Sequence, residues 1–318
     1  MFVTRRLPEA GLAPLREAGL RVDVHDSDDP IARVDLLSHA AGASALITLM
    51  SERVDDELLD AAGPQLKVVA NYAVGYDNID VPACHRRGVV AANTPGVLDD
   101  ATADMAFALL LAVARRLCEG DALVRSGAWT GWQPEQLLGA HVTGATLGIV
   151  GLGRIGRAVA RRARGFDMRV LYHNRRPDPE AARELGASYA PLDELLQESD
   201  FVSLHAPLTD ETRHLIGSRE LALMKPAAVL VNTARGPVVD EAALVSALQD
   251  GSIAGAGLDV FEEEPAVHPG LPGLPNVVLA PHLGSATLET RTAMARLCSE
   301  AVLAVLAGRE PANVIRAR

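Results

Sequence analysis

Short apolar runs recur along the chain, each followed by a turn signal and an amphipathic stretch. From Met1 to about Gly96 the runs MFVTRRL, LRVDVHD, ASALITL, LKVVANYAV and GVVAANT alternate with helical stretches such as PEAGLAPLREAG and VDDELLDAAG. That alternation predicts parallel strands joined by helices. After the turn Asn93-Thr94-Pro95-Gly96, the run from Asp99 to Leu117 opens on the capping candidates Asp99, Asp100 and Thr102 and is rich in Ala and Leu. It predicts one long connecting helix. A second series follows: ATLGIVG, MRVLYHN, FVSLHAP, AAVLVNT, GAGLDVF and NVVLAPH. Each run is apolar and short enough to be a strand buried on both faces, so six strands of one doubly wound sheet are expected. Leu288 to Ala307 is amphipathic and closed by Gly308 and Pro311, a helix expected to cross back onto the first domain. The pattern thus predicts an α/β fold: two Rossmann-like or flavodoxin-like doubly wound parallel-sheet domains with a cleft between them. The first is discontinuous, residues 1–97 plus 288–318, and the second spans 98–287.

Composition narrows this. A chain of 318 residues exceeds what one core usually supports, which agrees with two domains. With 48% hydrophobic and 22% charged residues it has the makings of ordinary cores rather than of disorder. A net charge of -11 opposes nucleic acid or an anionic membrane as the main partner, so an anionic ligand needs a local basic pocket. The longest apolar run, Met105 to Ala114, falls short of the roughly 18 residues of a membrane span. Met1 to Ala10 has no apolar core of a secretion signal, and a cytoplasmic location is expected. Cys84, Cys118 and Cys298 are scattered and unpaired in spacing, which predicts reduced thiols in packing roles and no metal site.

The chemistry begins at Gly151-Leu152-Gly153-Arg154-Ile155-Gly156, placed between a strand and a helix. In that context GxGxxG marks a dinucleotide site. The first glycine allows the tight turn, the second lets pyrophosphate approach the helix N-terminus, and the third lets helix pack on strand. About 20 residues on, where an acid would bind the ribose 2′-hydroxyl, the chain reads Asn174-Arg175-Arg176 and has no carboxylate. An amide and two guanidinium groups suit a 2′-phosphate, so NADP(H) is expected as the preferred cofactor, with NAD(H) usable. A solvated basic turn would read the same way in sequence.

Three polar residues follow apolar strands of the second series: Arg235 after VLVNTA, Glu264 in Phe261-Glu262-Glu263-Glu264-Pro265, and His282 in Pro281-His282-Leu283-Gly284. Ligands of open α/β sheets bind outside the carboxyl ends of strands, so all three can converge beside a nicotinamide. The set fits hydride transfer to a 2-oxo acid. Arg235 can hold a carboxylate or polarise a keto oxygen, and His282 can deliver the proton the developing alkoxide needs. A carboxylate beside the histidine would orient its ring and favour its protonated form, the role expected of Glu264; Glu262 and Glu263 are alternatives by proximity.

Taken in order, Asn71-Tyr72-Ala73-Val74-Gly75-Tyr76-Asp77-Asn78-Ile79-Asp80, GLGRIG, Asn232-Thr233-Ala234-Arg235-Gly236, Gly257-Leu258-Asp259-Val260-Phe261 and Pro281-His282-Leu283-Gly284-Ser285-Ala286-Thr287 resemble the D-isomer-specific 2-hydroxyacid dehydrogenases over nearly the whole chain. AVGYDNID, GWQP and PHLGSAT resemble the glyoxylate/hydroxypyruvate reductase branch most. The resemblance implies a substrate-binding first domain and a dinucleotide-binding second one, with Arg235, Glu264 and His282 as the catalytic three. It also implies that Val74 and Gly75 offer backbone amides to the substrate carboxylate, and that Thr102, Pro207, Thr233, Asp259 and Gly284 line the cofactor. Family members are homodimers, with Trp132 a candidate for reaching the partner's substrate pocket. The expected activity is NADPH-dependent reduction of glyoxylate and hydroxypyruvate to D-2-hydroxy acids. Phosphoglycerate dehydrogenase is disfavoured by the absence of a regulatory domain before Arg318, and formate dehydrogenase by the pairing of histidine with glutamate. A dinucleotide-sensing corepressor is the reading from a different class.

Overall fold

Strands whose side chains are apolar on both faces pair in parallel and need helical crossovers, and in the computed structural model, described here for residues 1–316, every strand ladder is parallel. The chain divides into two units, Met1–Leu98 with the segment from Ser285 on, and Asp99–Gly284.

The first unit holds β1 (Phe2–Val3), β2 (Asp23–Val24), β3 (Ala45–Thr48), β4 (Val68–Asn71) and β5 (Val90–Ala92), in the order β2-β1-β3-β4-β5. The central strands β3 and β4 are buried throughout. Leu46 and Val69 form one core with Phe2, Leu36, Leu58 and Ala83. The helix Leu288–Leu306, capped by Thr287 accepting the Thr290 N–H at 3.1 Å, belongs to this unit and packs on the helix Glu9–Glu17. Gly11 makes the approach possible, because a Cβ there would lie 2.3 Å from Ala295 Cβ. Ser299 Oγ donates to Gly11 O at 2.8 Å across the same contact.

The second unit holds β6 (Thr146–Val150), β7 (Arg169–His173), β8 (Ala187–Tyr189), β9 (Phe201–Leu204), β10 (Val229–Asn232), β11 (Gly255–Leu258) and β12 (Val277–Leu279), in the order β12-β11-β10-β9-β6-β7-β8. Alternation along β6 feeds two cores. Leu147 and Ile149 pack with Ala103, Leu110 and Val159 on one face, while Val150 packs with Leu195, Leu204 and Leu244 on the other. Strand order reverses between β6 and β9, which makes their carboxyl ends the natural ligand crevice.

Three sequence expectations change. The sheet has seven strands, not six: β8 is a short edge strand with Ser188 and Tyr189 exposed, so it lacks the apolar run that identifies buried strands. The connecting helix ends early, at Asp99–Ala114, and a separate helix follows at Leu117–Arg125. Arg116 between them is left-handed at φ 51°, and the Ala140 N–H donates to Ala114 O at 2.8 Å, closing the first helix from outside. Of the cysteines, Cys84 and Cys298 are buried, and burial pushes the Cys84 thiol up to about 11. Cys118 is exposed and has no packing role. Among the described residues no helix is long and apolar enough to cross a membrane, and no group of three or more His, Cys, Asp or Glu side chains is placed to hold a metal.

Candidate active site

The glycine loop leaves β6 at the strand-order reversal. Gly151 is at φ +102°, and a Cβ there would lie 2.7 Å from the His205 carbonyl carbon just beyond β9. A Cβ on Gly156 would lie 2.1 Å from Gly151 O, so the helix Arg154–Ala163 is seated against the turn. Gly153 differs from both: a Cβ there meets nothing within 4 Å, and the helix that starts after it has no side-chain cap. Uncapped amides with the helix dipole behind them, opening on empty space, fit a pyrophosphate.

At the tip of β7, Asn174 Oδ1 accepts the Leu152 N–H at 2.7 Å, so this side chain braces the glycine loop and leaves its own N–H groups for a ligand. Asp178 is unavailable to a ribose. Its carboxylate accepts Arg157 Nη2 at 2.6 Å and caps the helix Pro179–Leu185 through the Ala181 N–H at 3.0 Å. Arg175 and Arg176 are exposed, and among the described residues neither closes an ion pair.

His205, which the sequence reading passed over, sits at the same crevice. Ser203 Oγ lies 2.8 Å from its Nε2, while Nδ1 is buried without a partner among the described residues. Burial lowers the ring to about 4, so it is neutral at pH 7. Its signal was a histidine directly after the apolar run FVSL, the same placement that singled out Arg235 and His282.

Arg235, Glu264 and His282 follow β10, β11 and β12, three adjacent strands. Buried Asn232 shapes the first turn: its Oδ1 accepts the Ala234 N–H at 3.0 Å and its Nδ2 donates to Arg235 O at 2.9 Å. Gly236 then lets two backbones touch, since a Cβ there would lie 1.9 Å from the Phe261 carbonyl carbon. The arginine turn and the glutamate loop are thereby locked together. Glu264 Oε1 accepts the Phe261 N–H at 3.1 Å and Oε2 lies 2.9 Å from His282 Nδ1. An ionised carboxylate only accepts, so Nδ1 carries the proton and Nε2 is left to a ligand. Burial alone would raise the Glu264 carboxyl, but the bond and charge of His282, the Phe261 amide and the nearby Arg235 together hold it below its usual value. Glu262 is engaged elsewhere, with Oε1 2.5 Å from His214 Nε2 and Oε2 accepting the Glu241 N–H at 3.4 Å.

The turn bearing His282 is left-handed at φ 54° and is built on Asp259. The His282 N–H donates to Asp259 O at 2.9 Å, and the Leu283 and Gly284 amides donate to its carboxylate at 2.6 and 2.7 Å. Burial, with Glu264 adding to it, raises the Asp259 carboxyl against the pull of those amides and of His282. A Cβ on Gly284 would be 3.2 Å from Asp259 Oδ2 and 3.3 Å from Thr102 Cγ2, so no larger residue fits without displacing them. Thr233 Oγ1 is buried without a partner among the described residues, a hydroxyl that a bound group could satisfy. Pro207 is exposed just beyond His205.

In the first unit, Val74 and Gly75 lie half-buried in the loop after β4. Trp132 is 82% exposed and Trp129 51%, beyond the helix Leu117–Arg125, which has no buried residue.

A model of the D-isomer specific 2-hydroxyacid dehydrogenase NAD-binding domain matches residues 107–284. The glyoxylate reductase of Thermococcus onnurineus (strain NA1) is 55% identical to this chain over 319 residues, which cover 99% of this chain and 95% of that protein. The glyoxylate reductase of Pyrococcus furiosus is 53% identical, with 99% and 94% covered. Among solved structures, a protein from Thermus thermophilus superposes with a TM-score of 0.94 at 50% identity, covering 99% of both chains. An NADPH-dependent glyoxylate/hydroxypyruvate reductase from Sinorhizobium meliloti, in complex with NADP and malonate, gives a TM-score of 0.87 at 36% identity, covering 100% of this chain and 98% of that one.

Proposed function

The chain belongs to the D-isomer specific 2-hydroxyacid dehydrogenases, which are NAD(P)-dependent, and on that premise we propose that it reduces small 2-oxo acids, glyoxylate and hydroxypyruvate, to D-2-hydroxy acids with NADPH. The observation that carries the reading is the 2.9 Å contact between His282 Nδ1 and Glu264 Oε2, on strand ends next to the one bearing Arg235. The cofactor supplies the hydride. His282 gives the proton from Nε2 to the oxygen that gains negative charge, and Glu264 keeps the ring oriented. Arg235 polarises the carbonyl oxygen, and the Val74 and Gly75 amides take the substrate carboxylate.

In this reading residues 98–287 bind the dinucleotide, and residues 1–97 with 288–318 bind substrate. The loop Gly151 to Gly156 holds pyrophosphate, and Asn174, Arg175 and Arg176 hold a 2′-phosphate. Thr102 contacts the cofactor from the connecting helix, and Pro207, Thr233, Asp259 and Gly284 line the nicotinamide side, with the Thr233 hydroxyl, unpartnered among the described residues, as its clearest support. The protein works in the cytoplasm as a homodimer, with Trp132 closing the partner's substrate pocket and keeping it small.

Purified protein assayed for NADPH oxidation should rank glyoxylate and hydroxypyruvate above 2-oxoisocaproate and phenylpyruvate by kcat/KM. Preference for either bulky acid overturns the pocket assignment.

A further inference from the structure

Three successive carbonyls in the loop after β4 are each held by a group of known position. The Thr94 N–H donates to Ala73 O at 3.0 Å, Asn93 Nδ2 donates to Val74 O at 2.7 Å, and Asn71 Nδ2 donates to Gly75 O at 2.9 Å. A trans peptide is planar and sets its C=O and N–H on opposite sides. Holding a carbonyl therefore directs the N–H of the next residue away from whatever holds it. The amides aimed in this way are those of Val74, Gly75 and Tyr76, and among the described residues none of the three donates to the chain. Unused consecutive amides of this kind form a concavity for an anion.

The three holds differ in strength. Thr94 acts through its backbone, and Asn71 is wholly buried, where it also donates to Asn78 Oδ1 at 3.1 Å and accepts Thr48 Oγ1 at 3.2 Å. Asn93 is only half-buried, and among the described residues its side chain makes this one bond. Its backbone is fixed independently, with the N–H donating to Asn313 O at 3.2 Å and the carbonyl accepting Asn313 Nδ2 at 2.5 Å. The Val74–Gly75 peptide is thus the one whose direction depends on a single exchangeable side chain. Without that bond it is free to turn over, because Gly75 tolerates either orientation of the plane.

We propose that Asn93 is a positioning residue for the substrate carboxylate: its amide fixes Val74 O and so presents the Gly75 N–H to the anion. The inference rests on the reading that these amides bind the carboxylate, and its test separates the two.

The enzyme, saturated with NADPH, is assayed on glyoxylate and on glyoxal, which has an aldehyde in place of the carboxylate. Native protein should favour glyoxylate strongly by kcat/KM; if it does not, the carboxylate reading fails and the inference with it. Asn93→Leu keeps the bulk and removes the donor. It should raise KM for glyoxylate by about tenfold or more, the range for losing a hydrogen bond to a charged group, while kcat, KM for NADPH and glyoxal turnover stay near native values. Asn93→Ala serves the same test should the leucine variant not fold. If a folded variant keeps the native KM for glyoxylate, or loses glyoxylate and glyoxal turnover in equal measure, Asn93 does not position the amide.

Discussion

Glu264→Gln removes one charge at nearly constant shape, and the alkaline limb of reduction is where its effect is to be read. The native carboxylate accepts from two donors, the Phe261 N–H at 3.1 Å and His282 Nδ1 at 2.9 Å. A glutamine has one accepting oxygen, so it satisfies one donor and presents N–H groups to the other. The variant therefore loses a charge-assisted bond and keeps at most a neutral one, a difference of about 1–1.5 kcal/mol. The side chains are 27% and 34% exposed, and water screens any larger Coulombic effect. Since about 1.4 kcal/mol corresponds to one pH unit, the pH at which reduction falls to half should drop by about one unit. The sign follows from the pair itself. Glu264 lies below its ordinary carboxyl value, so it is charged through the neutral range and its own charge is lost only as pH falls through that lowered value. The glutamine variant lacks that charge at every pH, so its reduction should fail at a lower pH on the alkaline side. Initial rates of glyoxylate reduction across pH at saturating NADPH measure it. A variant with lower kcat but the native alkaline limb would refute the pairing as a working part of the enzyme.

Two further outcomes test the rest of the site. Replacing both Arg175 and Arg176 by Ala should raise KM for NADPH by about tenfold or more, as charge-assisted contacts to a 2′-phosphate are lost, and leave KM for NADH within about twofold of native; equal losses with both cofactors would remove the 2′-phosphate assignment. His282→Ala should lower kcat by about 10² to 10⁴ with NADPH binding, followed by fluorescence titration, unchanged; a kcat within tenfold of native would give the proton to another group.

The sequence carried the parts of the structure that are written locally. Strands β3, β4, β6, β9 and β10 are buried on both faces and so read as continuous apolar runs. The glycine loop was legible because strand, glycines and helix follow one another without a gap. What stayed hidden depends on distant partners. Arg116 takes a left-handed conformation with no glycine to announce it, because residue 140 closes the helix from elsewhere in the chain. The family resemblance puts Asp259 beside the cofactor, and only the fold shows its carboxylate holding the Leu283 and Gly284 amides. Asn93 looked like part of a turn signal, since nothing in NTPG tells which carbonyl the side chain reaches. His205 was in plain view, and no partner in the sequence marked it out.

The close approach of Gly284 to Thr102 has a consequence for how the chain assembles. These residues lie at the two ends of the second unit, and a Cβ on the glycine would be 3.3 Å from the threonine methyl. The first unit needs Gly11 to meet Ala295, contacts separated by nearly the full length of the polypeptide. Closing so long a flexible loop costs roughly 4–5 kcal/mol of chain entropy. Once the second unit has folded, its entry and exit are neighbours, and the intervening chain behaves as a short clip. The ribosome releases residues of β1 to β5 first, yet their last helix arrives after the whole of the inserted unit has been made. Of the two units, the one begun first is thus completed second, and the inserted unit brings its two pieces together.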